Sequence, residues 1–279
     1  KEATGALNDE QLRNLDERLT YLRNLAEKKE TVIASITEQE KMTPELKKAI
    51  DEAMTMVALE DLYRPYRPKR KTRATVAKEK GLQGLADIIM LQFLDHPLEE
   101  EAVKYINAEK EVLTTEDAIA GAMDIIAENI SDNADYRKSI RERTSARGNL
   151  ISTAKDPEAE SVYEMYYDFS SPVSKMTGHR TLAINRGEKE KFLTVKLEAP
   201  VDEIIGYLEK QNIVRDNKYT TDVLKAAIAD SYDRLIAPAI EREIRNQLTE
   251  EAEDGAIKVF GTNLKQLLMQ PPITGHTVL

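Results

Sequence analysis

The sequence predicts a mainly α fold: a multi-helix assembly with a helix-turn-helix-like element and one small β element near residues 191–198. Three observations predict it. Gly and Pro are sparse, 11 and 10 in 279 residues, while helix formers such as Glu, Lys, Leu and Ala abound. Apolar residues recur at three- and four-residue spacings along most of the chain. The clearest period-two alternation is Leu193, Val195 and Leu197 against Thr194, Lys196 and Glu198.

The elements follow in order. Leu12, Leu15, Leu19, Leu22 and Ala26 place one apolar stripe on a helix from about Asn8 to Glu30, with Val32, Ile33 and Ile36 able to extend it. Lys29 breaks the stripe, so we expect a helix packed in a globular domain rather than a coiled coil. Thr43-Pro44 reads as a helix cap followed by Pro at the first helical position, ahead of Leu46, Ile50, Ala53 and Val57. Two prolines favour extended backbone from Tyr63 to Pro68. Gly81 and Gly84 punctuate the chain before a short helix with Leu85, Ile88, Ile89 and Leu91. Thr114 to Asp117 forms a capping-box pattern, and a helix from Asp135 to Arg147 is ended by Gly148. Asn149 to Ser152 suits a short strand, and Thr177 to Gly187 a short helix. Asp202 to Leu208 and Asp222 to Leu248 read as helices, the latter kinked or divided at Pro238. A last helix is expected from Glu251 to Leu268, stopped by Pro271-Pro272.

Composition excludes several functions. Without Cys there is no disulfide scaffold, thiolate metal site or cysteine nucleophile, and a reducing, cytoplasmic setting is expected. No run of about 18 apolar residues is present, so no membrane span is expected. The first residue is Lys rather than Met, and we expect a piece of a longer polypeptide. His96, His179 and His276 are far apart and in no metal-binding pattern. Neither nucleotide-binding glycine loops nor a G-x-S-x-G elbow occurs. We therefore expect a non-enzyme with no cofactor, no metal and no small-molecule substrate.

Net charge is −10, yet Arg64 to Lys80 holds eight Lys/Arg against a single acid, Glu79. Within it, Tyr63, Arg64, Tyr66, Arg67, Lys69, Arg70, Lys71 and Arg73 interleave cations and aromatics on a proline-stiffened backbone. Cations offer phosphate contacts and Tyr offers a face for stacking, which points to RNA or DNA. The alternative is a connector whose Tyr pack on neighbouring helices and whose cations neutralise acids elsewhere. Thr75 to Leu82 carries the Ala77 and Gly81 spacing of a helix-turn-helix, with Ile88 one residue late. Arg137, Arg141, Arg143 and Arg147 form a second basic strip, read first as a solvated face.

Leu59–Asp87, L-E-D-L-Y-R-P-Y-R-P-K-R-K-T-R-A-T-V-A-K-E-K-G-L-Q-G-L-A-D, resembles the signature of the bacterial Tex family of transcription accessory proteins. Tyr166-Tyr-Asp-Phe169 and His179-Arg-Thr-Leu-Ala-Ile-Asn-Arg-Gly187 are similar to further family segments, as are Ala256–Phe260, Asn263–Leu268 and Pro271-Pro272. The resemblance implies a Tex-type N-terminal helical region with its helix-turn-helix-like element over 1–198. It implies a central helical region over 199–279 leading towards a YqgF-type domain. It also implies helix-hairpin-helix elements and an S1 RNA-binding domain beyond Leu279, and transcription machinery among the partners. On this reading the chain is a non-catalytic, nucleic-acid-associated scaffold; the alternative is a protein-interaction scaffold, with nucleic acid bound by the S1 domain.

Overall fold

Side-chain caps set the helix starts, because the first backbone N–H groups of a helix lack partners within it. In the computed structural model, which describes residues 7–68 and 71–270, Asn8 closes a capping box with Gln11 and opens α1, Asp9–Glu38. Thr43 caps α2, Pro44–Glu52, with Pro at its start, and Thr55 caps α3, Met56–Tyr63. Thr72 caps α4, Arg73–Glu79, and Thr114 caps α7, Thr115–Ser131. Between them lie α5, Gln83–Leu91, and α6, Leu98–Ala102. The remaining helices are α8, Ala134–Arg147; α9, Gly178–Lys189; α10, Val201–Asn212; α11, Thr221–Asp230; and α12, Ala237–Leu268. The mainly α expectation holds.

The chain divides into two units that interleave along the sequence: residues 1–138 with 209–232, and residues 139–208 with 233–279. In the first unit, Leu25, Val32 and Ile36 of α1 pack with Ile50 of α2, Ala53 at its end and Leu59 of α3. The same unit packs α4, α5 and α11 around α7, burying Ala77, Leu85, Ile89, Ile125, Ile126, Leu224 and Ile228. Gly121 of α7 makes this approach possible: a Cβ there would stand 2.3 Å from Leu82 Cδ1. Gly81 takes φ of +88° in the turn between α4 and α5, a conformation that favours Gly.

In the second unit, β1, Asn149–Ala154, lies between β2, Asp168–Pro172, and β3, Leu193–Glu198, with both pairings antiparallel. Leu150, Leu193 and Val195 form a core with Tyr163, Tyr166 and Ile184. The strand expected around Leu193 is present with Leu193 and Val195 buried, as is the strand from Asn149. Strand β2 was not expected; its sequence Asp-Phe-Ser-Ser-Pro shows no apolar alternation, and Ser171 is its one buried residue.

Four expectations are corrected. Tyr63–Pro68 is not extended: Arg64 is helical, φ −51° and ψ −44°, and the N–H groups of Tyr66 and Arg67 both donate to the Tyr63 carbonyl. Pro65 removes one N–H donor and disfavours helical backbone at Arg64, and the two bonds to the Tyr63 carbonyl hold the turn despite this. The stripe Leu12, Leu15, Leu19 and Leu22 is 40–52% exposed among the described residues, since α1 outruns the core that covers Leu25 to Ile36. No break separates residues 237–248 from 251–268; α12 is continuous because Glu250-Glu251 are good helix formers with no Gly or Pro beside them. Of the four arginines of α8, Arg137 is fully buried rather than solvated. Pro238 does divide its helix as expected: a π-helical stretch, Ser231–Ile236, precedes it and α12 restarts there.

Candidate nucleic-acid interface

The basic segment leaves α3 in a tight turn whose inner side is tied to the first unit. The Tyr63 hydroxyl and Ser35 Oγ lie 3.0 Å apart, and Gln39 Nε2 donates to the Tyr66 carbonyl at 2.8 Å. Both Tyr rings are half-buried against the core of α1 to α3. They buttress the turn more than they offer free faces.

Arg64 also points inward. Its Nε is 3.3 Å from Asp132 Oδ1, at the end of α7. Beside it, Arg137 Nε donates to Asp61 Oδ1 at 2.8 Å, with Arg137 fully buried and Asp61 nearly so. Asp61, Arg64, Asp132 and Arg137 thus form a charge cluster linking the end of α3 to α7 and the start of α8. Burial, then the Arg137 charge, lowers the Arg64 pKa; Asp132 and Asp61 act in the other direction.

The remaining cations face outward. Arg67 is exposed, with Nη1 3.8 Å from Glu60 Oε2. Lys71 is exposed, with Nζ 3.8 Å from Glu79 Oε2. Such pairs at the surface contribute about 0–1 kcal/mol and exchange readily for another anion. Arg73 is exposed at the first turn of α4. Lys69 and Arg70 lie outside the described residues.

Two open grooves flank this segment. One, of about 720 Å³, is lined by Tyr66, Arg67, Lys78, Glu128, Asn129 and Asp132, among others. The other, of about 560 Å³, is lined by Lys71, Arg73, Lys80, Asp117 and Asp124, among others. Tyr66 and Arg67 therefore serve one groove, Lys71 and Arg73 the other. Carboxylates line both, which tempers their attraction for phosphate. Helix α5 contains no Lys or Arg, and its exposed residues include Asp87, so it brings no cation to a helix-turn-helix.

The second basic strip is engaged internally. Arg141 pairs with Glu243 at 2.7 Å, and Arg143 and Arg147 both bond Glu203. Burial raises the Glu203 pKa, but the two arginines lower it by more. The Arg143 guanidinium lies 4.7 Å from the Tyr207 ring centre. Among the described residues no group of three or more His, Asp or Glu is poised to hold a metal ion, and no helix is long and apolar enough to cross a membrane.

The family model described as Tex central region-like matches residues 95–260, more than half of the chain. The chain belongs to the Tex family. The model described as Tex-like protein N-terminal domain matches residues 1–37 of the same Tex chain. YdcI of Bacillus subtilis is 50% identical over 100% of this chain and 39% of its own length. The transcriptional accessory protein Tex of Neisseria gonorrhoeae is 36% identical over 100% of the chain and 37% of its own. The human S1 RNA-binding domain-containing protein 1 is 32% identical over 100% and 29%. The Tex chain thus spans less than two-fifths of the length of these relatives. The Arg–Tyr turn lies between the two matched models, within the stretch aligned to the relatives.

The sequence reading missed Asp61, Asp132 and Arg137 as positioning residues. The available signal was Asp61 three residues before Arg64; the approach of Asp132 and Arg137 to it depends on helix packing.

Proposed function

We propose that this Tex chain is a non-catalytic, nucleic-acid-associated scaffold of a cytoplasmic transcription accessory protein. In this reading Arg67, Lys71 and Arg73, with Lys69 and Arg70 between them, contact phosphates of RNA or DNA. Arg64, Tyr63 and Tyr66 position the turn that presents them. One observation carries the proposal: outward Arg67 sits on a turn whose inward residues are fixed to the core by Ser35, Gln39 and Asp132, and Lys71 and Arg73 are exposed just after it in sequence. Fixing the turn beforehand lowers the entropy lost when a ligand binds. The names of the relatives, one a transcriptional accessory protein and one an S1 RNA-binding domain protein, agree with it.

The test is a salt titration of RNA and DNA binding. Each lost phosphate contact flattens the slope of log K against log salt by about 0.7 for single strands and 0.9 for duplex DNA. Replacing Arg67, Lys71 and Arg73 with Gln is expected to flatten it by roughly 2. An unchanged slope refutes the assignment.

A second reading is supported by the exposed apolar faces of α1 and of the distal half of α12, where Ile257, Phe260, Leu264 and Leu267 lie open. Here the helices dock other domains of the full-length protein or a basic partner, with nucleic acid bound by an S1 domain elsewhere. Tight binding of those domains, with no gel shift by the chain alone, is the outcome this reading requires.

A further inference from the structure

Two bends more than a hundred residues apart are locked together in the first unit. Gln92 ends α5 in the left-handed conformation, φ +56°, and is buried. Its Nε2 donates to the Asn212 carbonyl at 2.8 Å, and its Oε1 accepts from the N–H groups of Val214 and Arg215 at 3.0 Å each. From the other side, Asn217 Nδ2 donates to the Leu94 carbonyl at 2.8 Å. Phe93 stands between these two anchors, so its backbone is fixed on both sides.

What the clamp presents is unusual for a surface. Phe93 is 68% exposed, with Leu91 at 61% and Val214 at 81%. The Arg215 guanidinium lies 4.4 Å from the Phe93 ring centre, and Lys218 Nζ lies 4.5 Å from the Tyr219 ring centre. Nearby acids are engaged elsewhere: Asp95 pairs with His96 at 2.8 Å, and Asp216 accepts from the Thr221 hydroxyl at 3.1 Å. Arg215 and Lys218 make no ion pair with a described residue. An exposed ring beside cations that lack carboxylate partners suits a ligand with both a flat apolar face and a negative charge.

We propose that the Phe93–Arg215 pair is a stacking site for single-stranded nucleic acid, separate from the Arg–Tyr turn. A base stacks on the open face of Phe93 or of the guanidinium, and adjacent phosphates meet Arg215 and Lys218. Duplex bases are already stacked on one another, so the site selects single strands. The two cation–ring pairs favour nucleic acid over a protein partner, for which the aliphatic Leu91 and Val214 alone would speak.

The chain contains no Trp, so Phe93→Trp provides a single reporter. With a fluorescein-labelled oligouridylate, Phe93→Ala and Arg215→Ala are each expected to weaken binding about tenfold. Phe93→Trp is expected to bind like the parent, and its emission to be quenched at saturation with unlabelled oligouridylate. Parental affinity in Phe93→Ala, absence of quenching, or absence of oligonucleotide binding by the parent chain overturns the proposal. Loss confined to the Arg67, Lys71 and Arg73 triple variant overturns it while leaving the turn reading intact. A changed mass by light scattering in Phe93→Ala, with RNA affinity unchanged, assigns the patch to protein contact and also overturns it.

Discussion

Removing one partner of the Asp61–Arg137 pair is expected to be among the most destabilising single changes in the first unit. The pair is direct, 2.8 Å between Arg137 Nε and Asp61 Oδ1, and Arg137 has no solvent exposure. Water cannot replace the lost carboxylate at this depth, so Asp61→Asn takes a charge partner from a buried guanidinium. Breaking such a pair costs about 3–5 kcal/mol, against a total of about 5–15 kcal/mol for a folded domain. For a unit of this size that lowers Tm by roughly 6–20 °C. The double change Asp61→Leu with Arg137→Met removes both charges and is expected to recover most of the loss, since apolar replacements of buried pairs are often neutral. Urea and thermal unfolding followed by far-ultraviolet circular dichroism measure both. A loss below about 1 kcal/mol for Asp61→Asn, or a double variant weaker than the single, refutes the reasoning. Because Arg64 and Asp132 belong to the same cluster, Asp61→Asn is also expected to loosen the basic turn and weaken phosphate binding at permissive temperature.

Three further outcomes are expected. Gly121→Ala forces a Cβ towards buried Leu82 and is expected to cost about 1–3 kcal/mol in urea unfolding; an unchanged midpoint contradicts the packing. The bond to Asp95, then that to Glu101, raises the His96 pKa, so its stabilising contribution is complete below the unfolded value near about 6.5 and fades as pH rises through the folded value. A nuclear magnetic resonance titration placing His96 at or below its unfolded value, or unmoved by Glu101→Gln, contradicts this. Arg147→Gln is expected to leave the salt slope of RNA binding unchanged, because Arg147 serves Glu203; a slope flattened by about 0.7 would make it a phosphate contact instead.

Local signals were read well from the residues. Thr43 and Thr114 announced their helices because a cap needs only a side chain and the N–H groups two or three residues on. Pro238 announced a break because the missing N–H acts within one turn. The candidate interface was legible as a segment but not as a surface. Eight residues in one run look alike in sequence, yet Tyr63, Arg64 and Tyr66 turn inward while Arg67 and Lys71 turn outward.

The sequence by itself determined the helical class, most helix starts, the central and third strands and the family. These rest on short-range periodicity, capping and contiguous motifs. Tertiary structure decided which charges are free. It buried Arg137 on Asp61 and engaged Arg141, Arg143 and Arg147 with acids 56 to 102 residues away. It left the first half of the α1 stripe uncovered and joined Phe93 to Arg215 across two bends. Burial and charge pairing depend on what other elements bring near a residue, and neighbours in sequence do not carry that information.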